Sequence, residues 1–139
     1  MSMNLKMIRD NRKQVKGQVE EAIVRALEIC AGKAETYAKT NLTRQKAVDT
    51  GALRNSVNHK VDKAKLVAYV GTNIEYAPYI EFGTGIYYVG GRRTSWTYKD
   101  SDGQWHMTNG MRARPFLKPA VADHQEEYKN IIQSELSKL

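Results

Sequence analysis

One continuous helical pattern constrains the fold of this chain more than any other feature of its sequence. From Asn11 to Leu42, apolar residues recur at helical spacing: Val15, Val19, Ile23, Ala26, Leu27, Cys30, Ala34, Tyr37 and Ala38. Charged residues mostly avoid that stripe, which is typical of an amphipathic helix with one core-facing side. At 1.5 Å per residue the helix would be about 48 Å long, more than a domain of this size can cover. We therefore expect part of it to project toward a partner.

Short segments after the long helix predict one helical turn and a β-hairpin. The stretch 49–54 has the composition of a single turn, capped by the side chain of Asp49 or Thr50. Apolar residues then alternate with polar ones in two runs, Val57, His59, Val61 and Ala68, Val70. With the polar turn 62–65 between them, these runs predict a pair of antiparallel strands.

Proline and glycine delimit the elements that follow. The stretch 76–83 has Pro78 near the first helical position and Gly83 at its end, which predicts a short helix. A second hairpin is predicted from 93 to 108 around the turn 100–103. Its apolar face is predicted to consist of Trp96, Tyr98, Trp105 and Met107.

A last helix is predicted from Pro119 to Leu136, with a core stripe of Val121, Tyr128, Ile131, Ile132 and Leu136. The order of elements indicates an α+β fold. In it, a long N-terminal helix and a C-terminal helix pack on a small, mainly antiparallel sheet with an inserted hairpin at about 86–112. The length is that of a single domain over residues 1–139.

Composition excludes several classes of protein. The 22 basic and 15 acidic residues leave a net charge of +7, which favours contact with phosphates or acidic surfaces. The single cysteine, Cys30, excludes an internal disulfide and a multi-cysteine zinc site, and its place in the apolar stripe predicts burial. The absence of an apolar leader or an 18-residue apolar run predicts a soluble chain of a reducing compartment, without membrane contact.

The residue types that carry catalysis or bind metals do not cluster in this sequence. His59, His106 and His124 lie on three different elements. The turn 100–103 resembles part of a calcium loop, but the flanking ligand positions hold Tyr98 and Asn109. The glycine pairs lack the residues of a phosphate-binding loop. We therefore expect no enzyme activity, no cofactor and no metal.

Three segments, 48–56, 70–85 and 113–120, carry a combined motif. Its residues are Asp49, Gly51, Leu53 and Arg54, then Tyr76, Ala77, Pro78, Glu81, Phe82, Gly83 and Gly85, and finally Arg114, Pro115 and Phe116. In this order and spacing the segments resemble the gene-product-ten-like neck proteins of long-tailed bacteriophages, across nearly the whole chain. The stretch 94–110 looks like an insertion carried by a subset of that family.

This resemblance implies a structural virion protein assembled in the host cytoplasm. It implies a homo-oligomeric ring that joins the head connector to the tail and surrounds the DNA channel. The implied partners are head-closure and tail-completion or tail-tube proteins. Two alternatives stay open at this point, a tail-completion or tail-terminator protein and a basic nucleic-acid-binding domain.

The motif residues have structural interpretations of their own. Gly51, Gly83 and Gly85 suit turns and caps, and the apolar members Leu53, Tyr76, Ile80 and Phe82 are expected in the core. Pro115 is expected to stiffen the start of the last helix, with Phe116 packed beneath it. Glu81 lies on an otherwise apolar helix, so an arginine partner is expected, either Arg54 or Arg114, within the subunit or across an interface.

The insertion carries two candidate contact surfaces. Arg92, Arg93, Arg112 and Arg114 flank its two ends, and closing the hairpin would gather them beside Gly90 and Gly91, whose backbone is expected to be mobile. This cluster is either a solvated rim or a surface facing DNA or a partner. The aromatic residues Trp96, Tyr98 and Trp105 are candidates for an interface, since an isolated ribbon cannot bury them.

Overall fold

The computed structural model describes residues 12–45 and 50–139, and Asp49 with its predicted cap lies outside them. The helices are α1 (Arg12–Gln45), α2 (Thr50–Ser56), α3 (Ala77–Phe82), α4 (Leu117–Ala122) and α5 (Gln125–Ser137). The strands are β1 (Asn58–Asp62), β2 (Val67–Gly71), β3 (Trp96–Lys99) and β4 (Trp105–Thr108), and a 3-10 turn spans Gly85–Tyr87. The strands form two separate antiparallel pairs, β1–β2 and β3–β4. The predicted α+β class is confirmed.

Helix α1 is the support on which α2, the β1–β2 hairpin, α4 and α5 pack. It has 34 residues, and its first buried residue is Ala22. Helix α5 runs antiparallel beside it, and near the end of α5 Glu135 pairs with Arg25 of α1 at 3.6 Å. The segment 12–21 therefore extends beyond this packing, as the length of the pattern predicts. Val15 is 51% exposed, so its predicted place in the core stripe is wrong because no described element reaches it.

The core lies around the C-terminal half of α1. Its fully buried large side chains are Phe116, Leu42, Leu53 and Val57. They join Ala38, Ala77, Ile80 and Ala120, so that α1, α2, α3 and α4 meet in one cluster. Burial of a large apolar side chain contributes roughly 1.5–3 kcal/mol, so this junction holds the fold together.

The first hairpin packs one face on α1, as its alternation predicts. His59 and Val70 pair on the inner face, and Lys60 and Tyr69 pair on the outer one. The carboxylate of Asp62 accepts the backbone N–H groups of the two residues at the tip, each at 3.0 Å. This Asx-type turn fixes the register of the strands.

The last helix differs from its prediction because it is broken in two. Asp123 and His124 separate α4 from α5, and the backbone of His124 has non-helical angles, φ −122° and ψ 20°. The His124 ring stacks on Tyr37 of α1, with ring centroids 3.6 Å apart and planes within 5°. The break turns α5 along α1 and leaves Val121 45% exposed, so the predicted core role of Val121 is wrong.

Candidate assembly surfaces

Two of the three motif segments meet at Glu81. Its side chain is buried, with 7% of the residue exposed. Its carboxylate accepts the backbone N–H groups of Phe116, Leu117 and Lys118 at 2.8–3.0 Å. These amides open helix α4, and Phe116 at the N-cap has no polar side chain to satisfy them. Glu81 therefore caps α4 from another helix, an arrangement we call the Glu81 clamp.

Within the subunit, the expectation that Arg54 or Arg114 pairs with Glu81 is wrong. The carboxylate is occupied by backbone amides instead, and a buried anion needs such donors as much as it needs a cation. Arg54 and Arg114 are both exposed. The backbone of Arg114 contributes to the same junction, because its N–H donates to the Ile80 carbonyl at 2.7 Å.

The two ends of the insertion are joined by close backbone contacts. The N–H of Thr84 donates to the Met111 carbonyl at 2.9 Å, and that of Ile86 donates to the Asn109 carbonyl at 3.0 Å. Gly85 has φ +62°, and a Cβ atom there would lie 2.1 Å from the Asn109 carbonyl oxygen. Only glycine fits this place, which explains Gly85 of the motif.

Of the glycines farther from this junction, Gly91 differs from expectation. A Cβ at Gly91 would lie 2.3 Å from the Gly85 carbonyl oxygen, and the Gly91 N–H donates to the Tyr88 carbonyl at 2.9 Å. The expected mobility is therefore wrong for Gly91, which is packed. Gly51 is the second residue of α2, where it has open space around it.

The outer side of α3 is apolar and exposed. Phe82 and Tyr79 are each 58% exposed, so the expected core role of Phe82 is wrong. The reason is helix geometry, since Ala77 and Ile80 face the core and Phe82 lies on the opposite side. With Pro78, Tyr88 and the Gly-Thr-Gly backbone these rings line a cavity of about 250 Å³. Tyr76 is half-buried and packs against the core.

The β3–β4 ribbon has apolar side chains on both faces. In its register Trp96 pairs with Thr108, and Tyr98 pairs with His106. Trp105 and Met107 lie on the opposite face, because neighbouring residues of a strand point to opposite sides. The predicted single apolar face is therefore wrong. Among the described residues, the ribbon hydrogen-bonds mainly within itself, and it packs on no helix over more than a few contacts.

The structure places the predicted arginines around the foot of the ribbon. The guanidinium of Arg92 lies 5.4 Å from the Trp96 ring centroid. That of Arg112 lies 5.2 Å from the Tyr87 ring centroid. Both contacts are within the range of cation–π attraction, while Arg93 and Arg114 are exposed. The foot of the ribbon therefore combines exposed positive charge with aromatic surface.

A polar cluster that could not be predicted from the sequence lies between α1 and α5. The Tyr37 hydroxyl donates to Glu127, whose other oxygen pairs with Lys33 at 3.0 Å. These hydrogen bonds lower the pKa of Glu127 and raise the pKa of both Tyr37 and Lys33. Nearby, burial raises the pKa of the Cys30 thiol, and it raises that of Tyr128 to about 12. Periodicity placed Tyr37 in an apolar stripe and gave no sign of these partners.

A groove runs along the outer side of α1 and α5, with a volume of about 570 Å³. We call it the α1–α5 groove, and its lining residues are Ile29, Glu126, Glu127, Asn130, Ile131, Ser134 and Glu135. Ile29 and Ile131 are the apolar residues of this lining, and Ile29 is 42% exposed. Glu135 is held by Arg25 at 3.6 Å and by Lys138 at 3.0 Å.

Two chemical features are not found in the part of the chain that the structure describes. Residues 12–45 and 50–139 contain no group of three or more His, Cys, Asp or Glu side chains placed to hold a metal ion. Over the same residues, no helix combines the length and apolar character that crossing a membrane requires.

Comparison with known proteins gives one informative result. A family model described as "Bacteriophage HK97-gp10, putative tail-component" matches residues 6–83, more than half of the chain. The match includes the first motif segment and most of the second, and it ends before the ribbon. No curated protein and no solved structure matches significantly.

Proposed function

The chain belongs to the HK97-gp10 tail-component family of bacteriophages, and on this basis we propose that it is a ring-forming subunit of the phage neck. In this proposal it joins the head connector to the tail, next to head-closure and tail-completion or tail-tube proteins. It folds in the host cytoplasm and then enters the virion.

The observation that carries the proposal is that the subunit leaves two parts exposed, the start of α1 and the tip of the ribbon. The segment 12–21 of α1 extends beyond its own packing, and the ribbon exposes Trp105 by 68% and Met107 by 74%. Apolar surface of this kind marks sites of association. The two features differ in shape and chemistry, which suits the heterologous contacts that close a ring.

The foot of the ribbon supports a contact with DNA as a secondary role. Arg92, Arg93 and Arg112 are exposed there together, and a ring repeats their charge around one axis, where the fields add. Attraction between arginine and phosphate does not depend on base sequence. We infer non-specific contact with the DNA that passes through the channel.

Electron microscopy of purified virions, with this chain carrying a small visible tag, tests the neck position. We expect a ring of tags between portal and tail tube. A ring at the tube end in isolated tails, before head attachment, would instead identify a tail-completion or terminator protein. Absence of the chain from virions would contradict a structural role altogether and favour the nucleic-acid-binding alternative.

Salt-dependent binding to a mixed-sequence DNA duplex tests the secondary role. We expect weak binding that falls steeply with added salt, with a slope that reports the phosphates neutralised. Changing Arg92 and Arg93 to Ser should flatten this slope. The matched control changes Lys63 and Lys65 to Ser, since both are exposed in the turn of the first hairpin. Equal slopes for the two variants would contradict a DNA-facing role for the arginines.

A further inference from the structure

The two faces of the ribbon are not equally covered. On one face the Arg92 guanidinium lies over Trp96, and Tyr98 stacks with His106 at 5.4 Å. The other face holds Lys99, Trp105 and Met107, all exposed. This second face, which we call the outer ribbon face, carries the more exposed apolar side chains, since Trp105 is 68% and Met107 74% exposed against 47% for Tyr98.

The α1–α5 groove has the complementary character. Ile29 and Ile131 provide the apolar part of its lining. The groove lining includes three carboxylates, Glu126, Glu127 and Glu135, and no basic residue, whereas the outer ribbon face carries Lys99 and no acidic residue. Glu127 and Glu135 keep ion pairs with α1, and Glu126 is exposed at the groove. Complementary charge around apolar surface fixes the register of an interface.

The ribbon and the groove of one subunit do not cover each other. The foot of the ribbon is held beside α3 because the Thr84 N–H donates to the Met111 carbonyl and the Met111 N–H donates to the Thr84 hydroxyl. Helix α5 packs along α1 instead. Over the described residues, no extensive contact joins the ribbon to α5. The two surfaces can therefore meet only between copies, and a head-to-tail contact of this kind closes into a ring when the rotation allows it.

We propose that the outer ribbon face of one copy lies in the α1–α5 groove of the next copy. Trp105 and Met107 cover Ile29 and Ile131, and Lys99 approaches Glu126. This inference rests on the proposed ring, and it adds which two surfaces of the subunit meet.

Disulfide cross-linking in assembled virions tests the contact directly. Met107→Cys and Ser134→Cys are introduced together, because both positions are exposed and the second lines the groove. On oxidation we expect a ladder of dimers, trimers and higher species in a non-reducing gel. The matched control pairs Met107→Cys with Lys63→Cys, at an exposed position on the first hairpin. Equal ladders from both pairs, or none from the first pair in particles that contain the ring, would overturn the contact.

A charge exchange provides a second test that does not depend on cysteine geometry. Lys99→Glu alone and Glu126→Lys alone should each lower incorporation into virions about tenfold, with incorporation restored in the double variant. Normal incorporation of both single variants would overturn the contact and leave the ring standing. Absence of the unmodified chain from virions would contradict the proposed function itself, which separates the two failures.

Discussion

The Glu81 clamp and the ribbon belong to one stretch of chain, residues 81–118, yet the clamp is buried and the ribbon is exposed. At the clamp a buried carboxylate has three backbone donors and Phe116 is fully buried beside it. At the ribbon the hydrogen bonds are satisfied within two strands, and large apolar side chains remain exposed. The foot of this stretch is therefore packed into the fold, whereas its tip exposes the side chains for which we propose a contact with another copy.

The largest loss of stability is expected from Gly85→Ala at the foot of the insertion. The residue has φ +62°, and its new Cβ would lie 2.1 Å from a backbone oxygen. Backbone strain and forced displacement together should cost about 3 kcal/mol. Chemical denaturation measures this value. Gly90→Ala is the control, since φ there is +82° with open space around it, and it should cost about 1 kcal/mol. Equal costs would mean that the insertion is not held at Gly85.

Removing the clamp itself should have the next largest effect. Glu81→Ala leaves three amides at the start of α4 without their acceptor, which should cost about 2 kcal/mol in the free energy of unfolding. Glu75→Ala removes an exposed carboxylate from the same region and should change stability by less than about 0.5 kcal/mol. A loss at Glu75 as large as that at Glu81 would contradict the clamp.

The α1–α5 cluster should make stability depend on pH in the acid range. The Tyr37 hydrogen bond lowers the pKa of Glu127 from 4.5. The stabilisation is therefore present above pH 4.5 and is lost as pH falls through the lowered value. Between pH 7 and pH 3, the difference in melting temperature between the natural chain and Glu127→Gln should shrink. The same comparison with Glu126→Gln is the control and should show a smaller change. A difference in melting temperature for Glu127→Gln that grows on acidification would contradict the role of the Glu127 hydrogen bonds.

The smallest change in stability is expected from deleting the ribbon. Replacing residues 94–108 by a Gly-Ser link leaves the backbone bonds at Thr84 and Ile86 intact. The free energy of unfolding should then stay within about 0.5 kcal/mol of the natural value, while incorporation into virions is lost. A large drop in the thermal transition would show that the ribbon belongs to the core of its own subunit, and the comparison with the clamp would no longer hold.

Local pattern alone was enough to predict most of the elements. Helical spacing predicted α1 to within three residues at its C-terminal end. Alternation predicted both hairpins, and Pro78 with Gly83 delimited α3. These signals are short-range, because helix and strand periods and turn geometry depend on neighbouring residues.

The tertiary structure decided which side chains find partners and which remain exposed. The sequence suggested that Glu81 needed a partner but could not show that the partner would be the backbone of residues 116–118. Likewise, the apolar spacing of the last helix runs past Asp123 without a sign of a break, and the structure breaks the helix there where His124 stacks on Tyr37 of α1. Phe82 reads as core by composition, yet the side of α3 that faces the core leaves it outside. In each case the deciding contact joins residues far apart in the chain, and a local pattern carries no information about such contacts.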